Sequence, residues 1–297
     1  MTGKEVIIAM KKTTQLRKLL SSGKIVVAPG AFNALSARII EQAGFPAVYM
    51  TGYGASADLL GAPDYGLLTL TEMANHAARM AQAVNVPLIA DGDTGYGNAI
   101  NVRRTIQEYE RAGVAAIHLE DQVMPKRCGH MEGKQVIDAK DWAKKIEAAV
   151  DARTDGDFVI IARTDARAVY GLDEALSRAK MAVAAGADVI FVEAPQSVDE
   201  LKKVADTIDV PVMANMIEHG KTPLLSVDEL QDLGYSLVIY PLATLYMATK
   251  AMCEAVKELK DTGTTAGLVD RMLAFHEFND LVGLKDFQAL ERQYQVK

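Results

Sequence analysis

Short apolar runs rich in β-branched residues alternate with longer amphipathic segments along most of the chain. Continuous apolar runs of this kind are typical of strands that are buried on both faces, so they predict β-strands. Eight such runs occur, at residues 24–29, 47–51, 86–91, 115–120, 158–163, 188–193, 211–215 and 236–241.

The segments between these runs carry apolar residues on one helical face, which predicts amphipathic helices. Segment 69–84 begins with Thr69 and has Glu72 three positions later, the spacing of a capping box. Apolar residues also lie on one helical face in segments 101–113, 143–153, 172–186 and 197–208. Eight strand–helix units predict an α/β fold, a closed (β/α)8 TIM barrel, with a doubly wound open sheet as the alternative.

The region after the eighth run is more than one barrel helix requires. Residues 242–297 have a helical pattern throughout. No Pro- or Ser-rich linker, low-complexity tract or charge block marks a second domain. We therefore expect one barrel domain over residues 1–297, whose C-terminal helical part at 242–297 packs on a neighbouring subunit.

Composition narrows the classes of partner. Hydrophobic residues make up 49% of 297 residues, enough for a sizeable core, and the net charge is −7. This balance argues against nucleic acid or an anionic membrane surface, so we expect a small-molecule partner. No apolar run approaches the roughly 20 residues of a membrane helix, and the N-terminal run is too short for a signal peptide. Two cysteines cannot form a disulfide framework, which indicates a reducing, cytoplasmic location.

Polar residues stand at the ends of six of the eight predicted strands. In a (β/α)8 barrel these ends form the face that carries the active site. Such residues also anchor loops, so each alone is open to that simpler interpretation, but together they predict a site at the barrel mouth. They are Thr51, Asp91 with Asp93, His118 with Glu120 and Asp121, Arg163 with Asp165, Glu193, and Asn215.

Asp91 and Asp93 in "DGDTGYGN" suggest a metal site. Carboxylates at positions i and i+2 of a strand end project to the same side, where their repulsion is costly unless a cation lies near them. Oxygen ligands favour Mg²⁺ or Mn²⁺ over zinc. A capped turn before the next helix is the alternative, but Glu120 on the next strand favours a metal bound largely through water.

The stretch "PKRCGHMEGK" at residues 125–134 follows the fourth strand and is predicted to form a loop over the barrel mouth. Gly129 and Gly133 allow such a loop to close as a lid. Its cysteine, Cys128, is placed to act as an acid or a nucleophile. An ordinary surface loop with an incidental cysteine is the alternative. Cys253 lies in a helical pattern among apolar residues and is expected to pack.

Cationic groups surround this cysteine in the sequence. Lys126, Arg127 and His130 would lower the pKa of the Cys128 thiol or hold an anionic substrate near it.

Several segments together resemble the isocitrate lyase and phosphoenolpyruvate mutase superfamily, over residues from about 15 to 293. They are "KRCGH" after "LEDQVMP", "ADGDTGYGN", "IIARTDA", "FVEAP" and the "ANM" and "GKTPLL" segments of 214–225. The "KRCGH" loop marks the carbon–carbon lyase branch, since the phosphonate-processing mutases and hydrolases lack its cysteine. The resemblance implies (β/α)8 barrels that exchange a C-terminal helix between subunits, usually as homotetramers.

The resemblance also implies roles for the residues at the mouth. Asp91 and Asp93 would hold Mg²⁺, with Mn²⁺ as an alternative, Glu120 would lie in the outer shell and Asp64 nearby. The implied substrate-binding residues are Thr51, Gly52, Tyr53, Gly129, Arg163, Glu193, Asn215, Tyr246 and Phe275. The implied catalytic residues are Cys128 as proton donor, accompanied by Lys126 and His130, and Tyr49 as the base for the substrate hydroxyl, with metal-bound hydroxide as the alternative base.

Two positions indicate the substrate. The methylisocitrate lyases, which this chain resembles overall, hold a third carboxylate with two arginines from the tail region, and Tyr246 and Phe275 stand at those places here. Without the two guanidinium groups, an additional buried carboxylate would be unpaired, which is costly. "ANMIEHGKTPLL" and "FHEFNDLVGL" likewise look more like the 2,3-dimethylmalate and 2-alkylmalate lyases. We therefore expect a dicarboxylate substrate, 2,3-dimethylmalate, cleaved to pyruvate and propionate.

Three alternatives remain open at this point. Arg271, Lys250 or Arg167 could restore a tricarboxylate pocket, giving a 2-methylisocitrate lyase that forms pyruvate and succinate. A phosphorylmutase of the carboxyvinyl-carboxyphosphonate or phosphoenolpyruvate type would use the same barrel and ion without needing Cys128. A barrel without catalytic activity is the third.

Overall fold

The computed structural model describes residues 10–129, 131 and 133–295, so that His130 lies outside the described residues. Its eight strands are parallel, pair in chain order and close into a barrel when β8 pairs with β1. The predicted (β/α)8 barrel is therefore confirmed, and the open-sheet alternative is wrong. The strands are β1 Val26–Ala31, β2 Val48–Met50, β3 Leu88–Asp91, β4 Ala116–Glu120, β5 Val159–Thr164, β6 Val189–Val192, β7 Val212–Asn215 and β8 Leu237–Tyr240.

Helices cover the outside of the barrel and form the C-terminal tail. They are α1 Lys12–Leu20, α2 Ala34–Gln42, α3 Gly52–Leu60, α4 Leu70–Ala83, α5 Ala99–Arg111, α6 Ala139–Ala152, α7 Ala166–Tyr170, α8 Leu172–Ala184, α9 Val198–Thr207, α10 Val227–Asp232, α11 Ala243–Thr262, α12 Phe275–Leu281 and α13 Leu284–Tyr294, with a 3-10 helix at Ala266–Arg271. Within the described part of the chain, no helix is both long and apolar enough to span a bilayer.

The predicted capping box opens α4. The Thr69 hydroxyl accepts a hydrogen bond from the Glu72 amide at 3.4 Å, and the Glu72 carboxylate accepts one from the Thr69 amide at 2.8 Å. These bonds satisfy amide groups that have no partner within the helix. The helix buries Met73, Ala77 and Met80 against the strands, as its apolar face predicts.

Alternate residues of each strand point into and out of the barrel, which explains why the strand runs are apolar throughout. On β5, Val159 and Ile161 belong to the inner cluster, whereas Ile160 and Ala162 face the helices. Both faces are therefore removed from water.

Helix α1 covers the amino-terminal end of the barrel. Leu16 is fully buried in the inner cluster, and the Arg17 guanidinium donates to the Phe158 carbonyl at 3.3 Å and to Asp188 Oδ1 at 2.9 Å. The carboxyl ends of the strands are left as the open face.

The tail is helical, as predicted, but packs little against its own barrel. In α11 only Leu245 is buried, and Thr244 donates to the Gly30 carbonyl at 2.5 Å. Large apolar side chains of α12 and α13 are exposed, including Phe275 at 86% and Phe287 at 68%. Packing of this tail on a neighbouring subunit stays a prediction.

Candidate active site

A cavity of about 30 Å³ lies at the carboxyl ends of the strands. It brings together most of the residues that the sequence analysis selected, from positions as far apart as β2 and β7. The described residues that line it are Tyr49, Thr51, Tyr53, Asp64, Asp91, Cys128, Gly129, Arg163, Glu193, Asn215, Ile217, Pro241 and Leu242. The last three form an apolar wall that the sequence did not reveal, because no polar motif marks them.

The turn after β2 approaches the carboxylates of β3 through its backbone. Thr51 caps α3 by accepting a hydrogen bond from the Gly54 amide, and the Gly52 amide donates to Asp91 Oδ2 at 3.2 Å. A Cβ atom at Gly52 would overlap this carboxylate oxygen. Glycine is therefore required for the backbone to reach Asp91.

A lysine ammonium occupies the space between two of the predicted metal-site carboxylates. Lys126 Nζ lies 2.7 Å from Asp64 Oδ1 and 2.7 Å from Asp93 Oδ1. All three side chains are buried, so the positive charge offsets part of the repulsion between the carboxylates. The sequence predicts Lys126 beside the Cys128 thiol, whereas in the structure its ammonium pairs with Asp64 and Asp93.

The two carboxylates that flank Gly92 are held in different environments. Asp91 Oδ1 accepts a hydrogen bond from the Asp93 amide at 2.9 Å, and Asp93 has a positive φ of 47°. Burial acts to raise the pKa of Asp91, but His118 and Lys126 hold it below its ordinary value. Burial raises the pKa of Asp93 above its ordinary value, although Lys126 opposes the change. An added cation would favour the charged form of Asp93.

The donor set fits a hard divalent cation that has few direct protein ligands. Among the described residues, no group of three or more His, Cys, Asp or Glu side chains is arranged to hold a metal directly. Both carboxylate oxygens of Glu120 are nevertheless buried without a hydrogen bond from the described chain, and Asp93 Oδ1 faces the Lys126 ammonium. Glu120 and Asp93 make ion pairs, to Arg163 and Lys126 respectively. Mg²⁺ usually keeps several waters and takes one or two carboxylates, so these oxygens suit a largely water-mediated site.

Arg163 is oriented by three buried carboxylates. Its Nε lies 3.0 Å from Asp165 Oδ2, its Nη1 3.3 Å from Glu120 Oε2 and its Nη2 3.2 Å from Glu193 Oε2. Burial acts to lower the pKa of Arg163, but these carboxylates raise it well above its ordinary value. The guanidinium is thus permanently charged and fixed in direction at the cavity wall.

Asn215 completes this wall from β7. Its Nδ2 donates to both carboxylate oxygens of Glu193, at 3.2 and 3.3 Å. Its Oδ1 is buried without a hydrogen-bond partner in the described chain. Glu193 therefore connects Asn215 to Arg163.

The segment after β4 descends onto the same wall. A Cβ atom at Gly129 would lie 2.5 Å from Arg163 Nη2 and 2.7 Å from Glu193, so the close approach requires glycine. Gln122 supports the segment from below, accepting from the Arg127 amide at 3.0 Å and donating to the Arg127 carbonyl at 2.8 Å. Cys128 lines the cavity, as expected, while the predicted role of His130 stays a prediction.

Tyr49 contacts a histidine that the sequence analysis noted at a strand end without a role. The Tyr49 hydroxyl lies 2.8 Å from His118 Nε2, which is also 3.6 Å from Asp91 Oδ1. Burial raises the pKa of Tyr49 well above its ordinary value and lowers the pKa of His118 to about 4. The resting pair is therefore a neutral phenol and a neutral imidazole.

The two tail residues predicted to contact substrate lie in different places. The Tyr246 ring meets the Tyr53 ring edge-on, with centroids 6.4 Å apart, so it borders the mouth. Phe275 does not line the cavity within one chain and is exposed on α12. The candidates for holding a third carboxylate, Arg167, Lys250 and Arg271, are not among the described residues that line the cavity.

Comparisons with known proteins agree over nearly the whole chain. A phosphoenolpyruvate phosphomutase family model matches residues 16–260. A 2,3-dimethylmalate lyase of Eubacterium barkeri is 53% identical over 96% of this chain and 99% of that protein. A 2-methylisocitrate lyase of Aeropyrum pernix is 45% identical over 95% of this chain and 91% of its own. A crystal structure of 2,3-dimethylmalate lyase superposes with a TM-score of 0.91 at 40% identity, covering 96% of this chain and 95% of that one.

Proposed function

The chain belongs to the phosphoenolpyruvate mutase and isocitrate lyase superfamily, and from this membership we propose that it is a carbon–carbon lyase with 2,3-dimethylmalate as preferred substrate. Pyruvate and propionate are the products. The observation that carries the proposal is the position of Cys128 on the wall of a cavity that it shares with Arg163, Asn215 and Asp91. Cleavage of a carbon–carbon bond needs such an acid, since a carbon atom must be protonated.

The charge of the cavity supports a dicarboxylate rather than a tricarboxylate. Among the described residues that line it, Arg163 is the only cation. Of the candidates for binding a third carboxylate, Arg167 pairs with Glu200, and Arg271 and Lys250 both pair with Glu254 on the tail. An additional buried carboxylate without a partner would be costly. Tyr246 at the rim is suited to an alkyl group instead.

The metal in this proposal is Mg²⁺, with Mn²⁺ as the alternative. Asp91 and Asp93 would hold it, with Glu120 and Asp64 near by, because their buried oxygens suit a hard cation. When bound, the ion supplies Lewis-acid chemistry that makes the substrate hydroxyl more acidic.

Tyr49 is placed to take the proton of the substrate hydroxyl. Since the pKa of Tyr49 is raised by burial, it cannot act as a free phenolate and must pass its own proton on as it accepts the new one. His118 Nε2, 2.8 Å away, is the acceptor, and Asp91 stabilises the resulting imidazolium.

Loss of this proton allows the C2–C3 bond to break. The hydroxyl carbon becomes the ketone of pyruvate, and the bonding electron pair passes to C3, where it is delocalised into the adjacent carboxylate as an enediolate. Arg163 and Asn215 stabilise the negative charge on these oxygens. Cys128 then donates a proton to C3 and gives propionate, so one proton is lost and one is gained.

The exposed tail supports assembly as a homotetramer that exchanges helices between subunits. The proposed location of this assembly is the cytoplasm, which the two-cysteine composition favours. Within a single chain Phe275 is exposed and away from the cavity. An exchanged tail would bring Phe275 of one subunit to the mouth of another. Large exposed apolar patches of this kind mark interaction surfaces.

The test is a side-by-side assay of pyruvate release from 2,3-dimethylmalate and 2-methylisocitrate in the presence of Mg²⁺. We expect kcat/KM to favour 2,3-dimethylmalate at least tenfold, about 1.4 kcal/mol. A tenfold preference for the tricarboxylate would contradict the substrate, though not the reaction class.

Cys128→Ser tests the reaction class, with Cys253→Ser as the matched control, since Cys253 is exposed on α11 and does not pack within the chain as its apolar neighbours predicted. We expect Cys128→Ser to lower turnover by about 10²–10⁴-fold, the usual contribution of a positioned acid, and the control to retain parental turnover. Full activity of Cys128→Ser in phosphoryl transfer would favour the mutase instead. Absence of Mg²⁺ binding in a titration would favour the non-catalytic barrel.

A further inference from the structure

Lys134 fastens the end of the segment that carries Cys128. Its side chain is only 2% exposed, and its ammonium lies 2.8 Å from Asp165 Oδ1 and contacts the main-chain carbonyl of Gly129. Removing an ammonium group from water is costly unless acceptors replace the lost hydration. These two acceptors are what allow Lys134 to be buried here.

Asp165 connects Lys134 to the arginine of the cavity wall. Its Oδ2 accepts from Arg163 Nε at 3.0 Å, and its own amide donates to Asp121 Oδ1 at 2.8 Å. Burial acts to raise the pKa of Asp165, but Arg163 and Lys134 hold it below its ordinary value, so the carboxylate stays charged. One carboxylate therefore holds both Lys134 and Arg163.

Gly129 contacts both Lys134 and Arg163, the two cations that Asp165 holds. Its carbonyl accepts from Lys134, and its α-carbon packs so closely on Arg163 that a Cβ atom would lie 2.5 Å from Nη2. Cys128, the adjacent residue, lines the cavity. The position of the thiol relative to Arg163 thus depends on the contacts of Lys134.

The cavity beside this segment is narrow, at about 30 Å³. Movement of the Cys128–Gly129 wall away from Arg163 would widen it. The same movement would draw the Gly129 carbonyl away from Lys134 while Lys134 stays paired with Asp165.

We infer that Lys134 is a positioning residue: by bridging the Gly129 carbonyl to Asp165 it sets Cys128 against Arg163, and its release admits the substrate. The inference depends on the proposed function only for the identity of the reaction that Cys128 serves. The position of the lysine and the mobility it controls can be measured without any substrate.

The first experiment measures the rate at which iodoacetamide alkylates Cys128. The parent is Cys253→Ser, which leaves Cys128 as the one cysteine of the sequence. We expect Lys134→Met to raise the rate about tenfold, because loss of a charged hydrogen bond of about 1.4 kcal/mol shifts an opening equilibrium by that factor. Lys134→Arg, which keeps the charge, should restore a rate close to that of the parent.

Lys145→Met is the matched control. Lys145 is buried to the same extent as Lys134, with 6% and 8% of the whole residue exposed respectively, and among the described residues it makes no hydrogen bond or ion pair with Gly129 or Asp165. The control should leave the alkylation rate unchanged, although it also removes a buried ammonium. An unchanged rate in folded Lys134→Met, or an equal rise in Lys145→Met, would overturn the inference.

Asp165→Asn provides an independent variant if Lys134→Met does not fold. It should accelerate alkylation by a similar factor, and the double variant should be no faster than the faster single variant, because both remove the same bridge. Independent, multiplying effects would show that Lys134 and Asp165 act separately and would contradict the bridge.

Turnover provides the second readout. Lys134→Met should lower kcat and raise KM together, each about tenfold, because both depend on closing the segment, and Lys134→Arg should recover most of the loss. A fall in thermal stability without these changes would indicate a merely structural lysine and overturn the inference. If alkylation responds as expected but neither 2,3-dimethylmalate nor 2-methylisocitrate is cleaved, the proposed function fails and the role of Lys134 stands.

Discussion

The barrel mouth and the C-terminal tail each reverse the usual distribution of polar and apolar groups. At the mouth, charged side chains such as Asp91, Asp93, Lys126 and Arg163 are almost completely buried. On the tail, aromatic side chains such as Phe287 are largely exposed. Soluble proteins rarely bury charges unless they are paired, and rarely expose contiguous apolar surface without a partner for it.

The two regions differ in where the compensation comes from. At the mouth, Asp93, Lys126 and Arg163 have opposite charges from the same chain within ion-pair distance, and Asp91 accepts hydrogen bonds from the Gly52 and Asp93 amides. The apolar side chains of α12 and α13 find no such cover in the described part of the same chain. The buried charges of the mouth are therefore compensated within one chain, whereas the stability of the tail is expected to depend on another.

Arg163→Met should give the largest effect and tests whether the mouth is compensated internally. Removing the guanidinium leaves Asp165, Glu120 and Glu193 without their shared partner, which we expect to cost about 4 kcal/mol of unfolding free energy and at least about 10³-fold in turnover. Urea unfolding and a pyruvate-release assay measure the two losses.

Arg178→Met is the matched control for that variant, since Arg178 is also buried and pairs with Asp121 and Glu174 outside the cavity. It should lose comparable stability but much less turnover. Equal losses of turnover would show that Arg163 acts through stability alone.

Lys126→Met should cost about 3 kcal/mol in the metal-free protein, because Asp64 and Asp93 are then left buried without their cation. Part of this loss should return on addition of Mg²⁺, which supplies positive charge to the same carboxylates. Urea unfolding with EDTA and with Mg²⁺ measures it. Lys202→Met, which breaks an exposed pair with Asp206, should cost less than 1 kcal/mol and not respond to Mg²⁺. No Mg²⁺ response in Lys126→Met would argue against the proposed metal position.

The groups that make stability depend on pH should lie at the barrel mouth and not on the tail. Burial, then Asp165, raises the pKa of Asp121 from 3.8 to about 6, so the folded state binds its proton more tightly than the unfolded state does. Asp121 should therefore contribute about 2 kcal/mol more stability at pH 4 than at pH 7. His118, whose pKa burial lowers to about 4, acts in the opposite direction over the same range, and Asp91 and Asp165, whose pKa values are lowered, do so below about pH 4. The contribution of Asp121 is therefore measured as a difference: urea midpoints between pH 4 and 7 should show the parent gaining about 2 kcal/mol relative to Asp121→Asn as the pH falls.

Phe287→Glu changes the tail, and its expected free-energy change is the smallest of these predictions. Burial of one phenylalanine contributes about 1.5 kcal/mol or more, so we expect association between subunits to weaken at least tenfold. Sedimentation equilibrium measures this, and Ile100→Glu, an equally exposed apolar residue on the barrel, is the control. Dissociation by Ile100→Glu alone would place the interface elsewhere.

The eight strands and the loop that carries Cys128 could be predicted because both are local in sequence. The run at 158–163 corresponds to β5 at Val159–Thr164, and the Thr69–Glu72 spacing gave the start of α4. Positions at successive strand ends converge in a barrel by topology, so Asp91, Arg163 and Asn215 could be assigned to one site without knowing any distance.

The partners of individual side chains could not be predicted in the same way. The segment 125–134 contains Lys126, Arg127 and Lys134, and its sequence does not tell which cation turns inward or which carboxylate it meets. The bond between Tyr49 and His118 joins residues that are 69 positions apart. Both depend on packing that forms only in the closed barrel.

Helix α1 has a consequence for the order of events in the proposed reaction. Because this helix covers the amino end of the barrel, the cavity opens at the carboxyl ends of the strands. Cys128 is partly exposed there, whereas Gly52 and Asp91 are buried, so in the proposed reaction the fragment beside Cys128 would lie nearer to the opening than the keto acid. Propionate should depart first and pyruvate second, so that the route out, and not the strength of either contact, dictates the sequence.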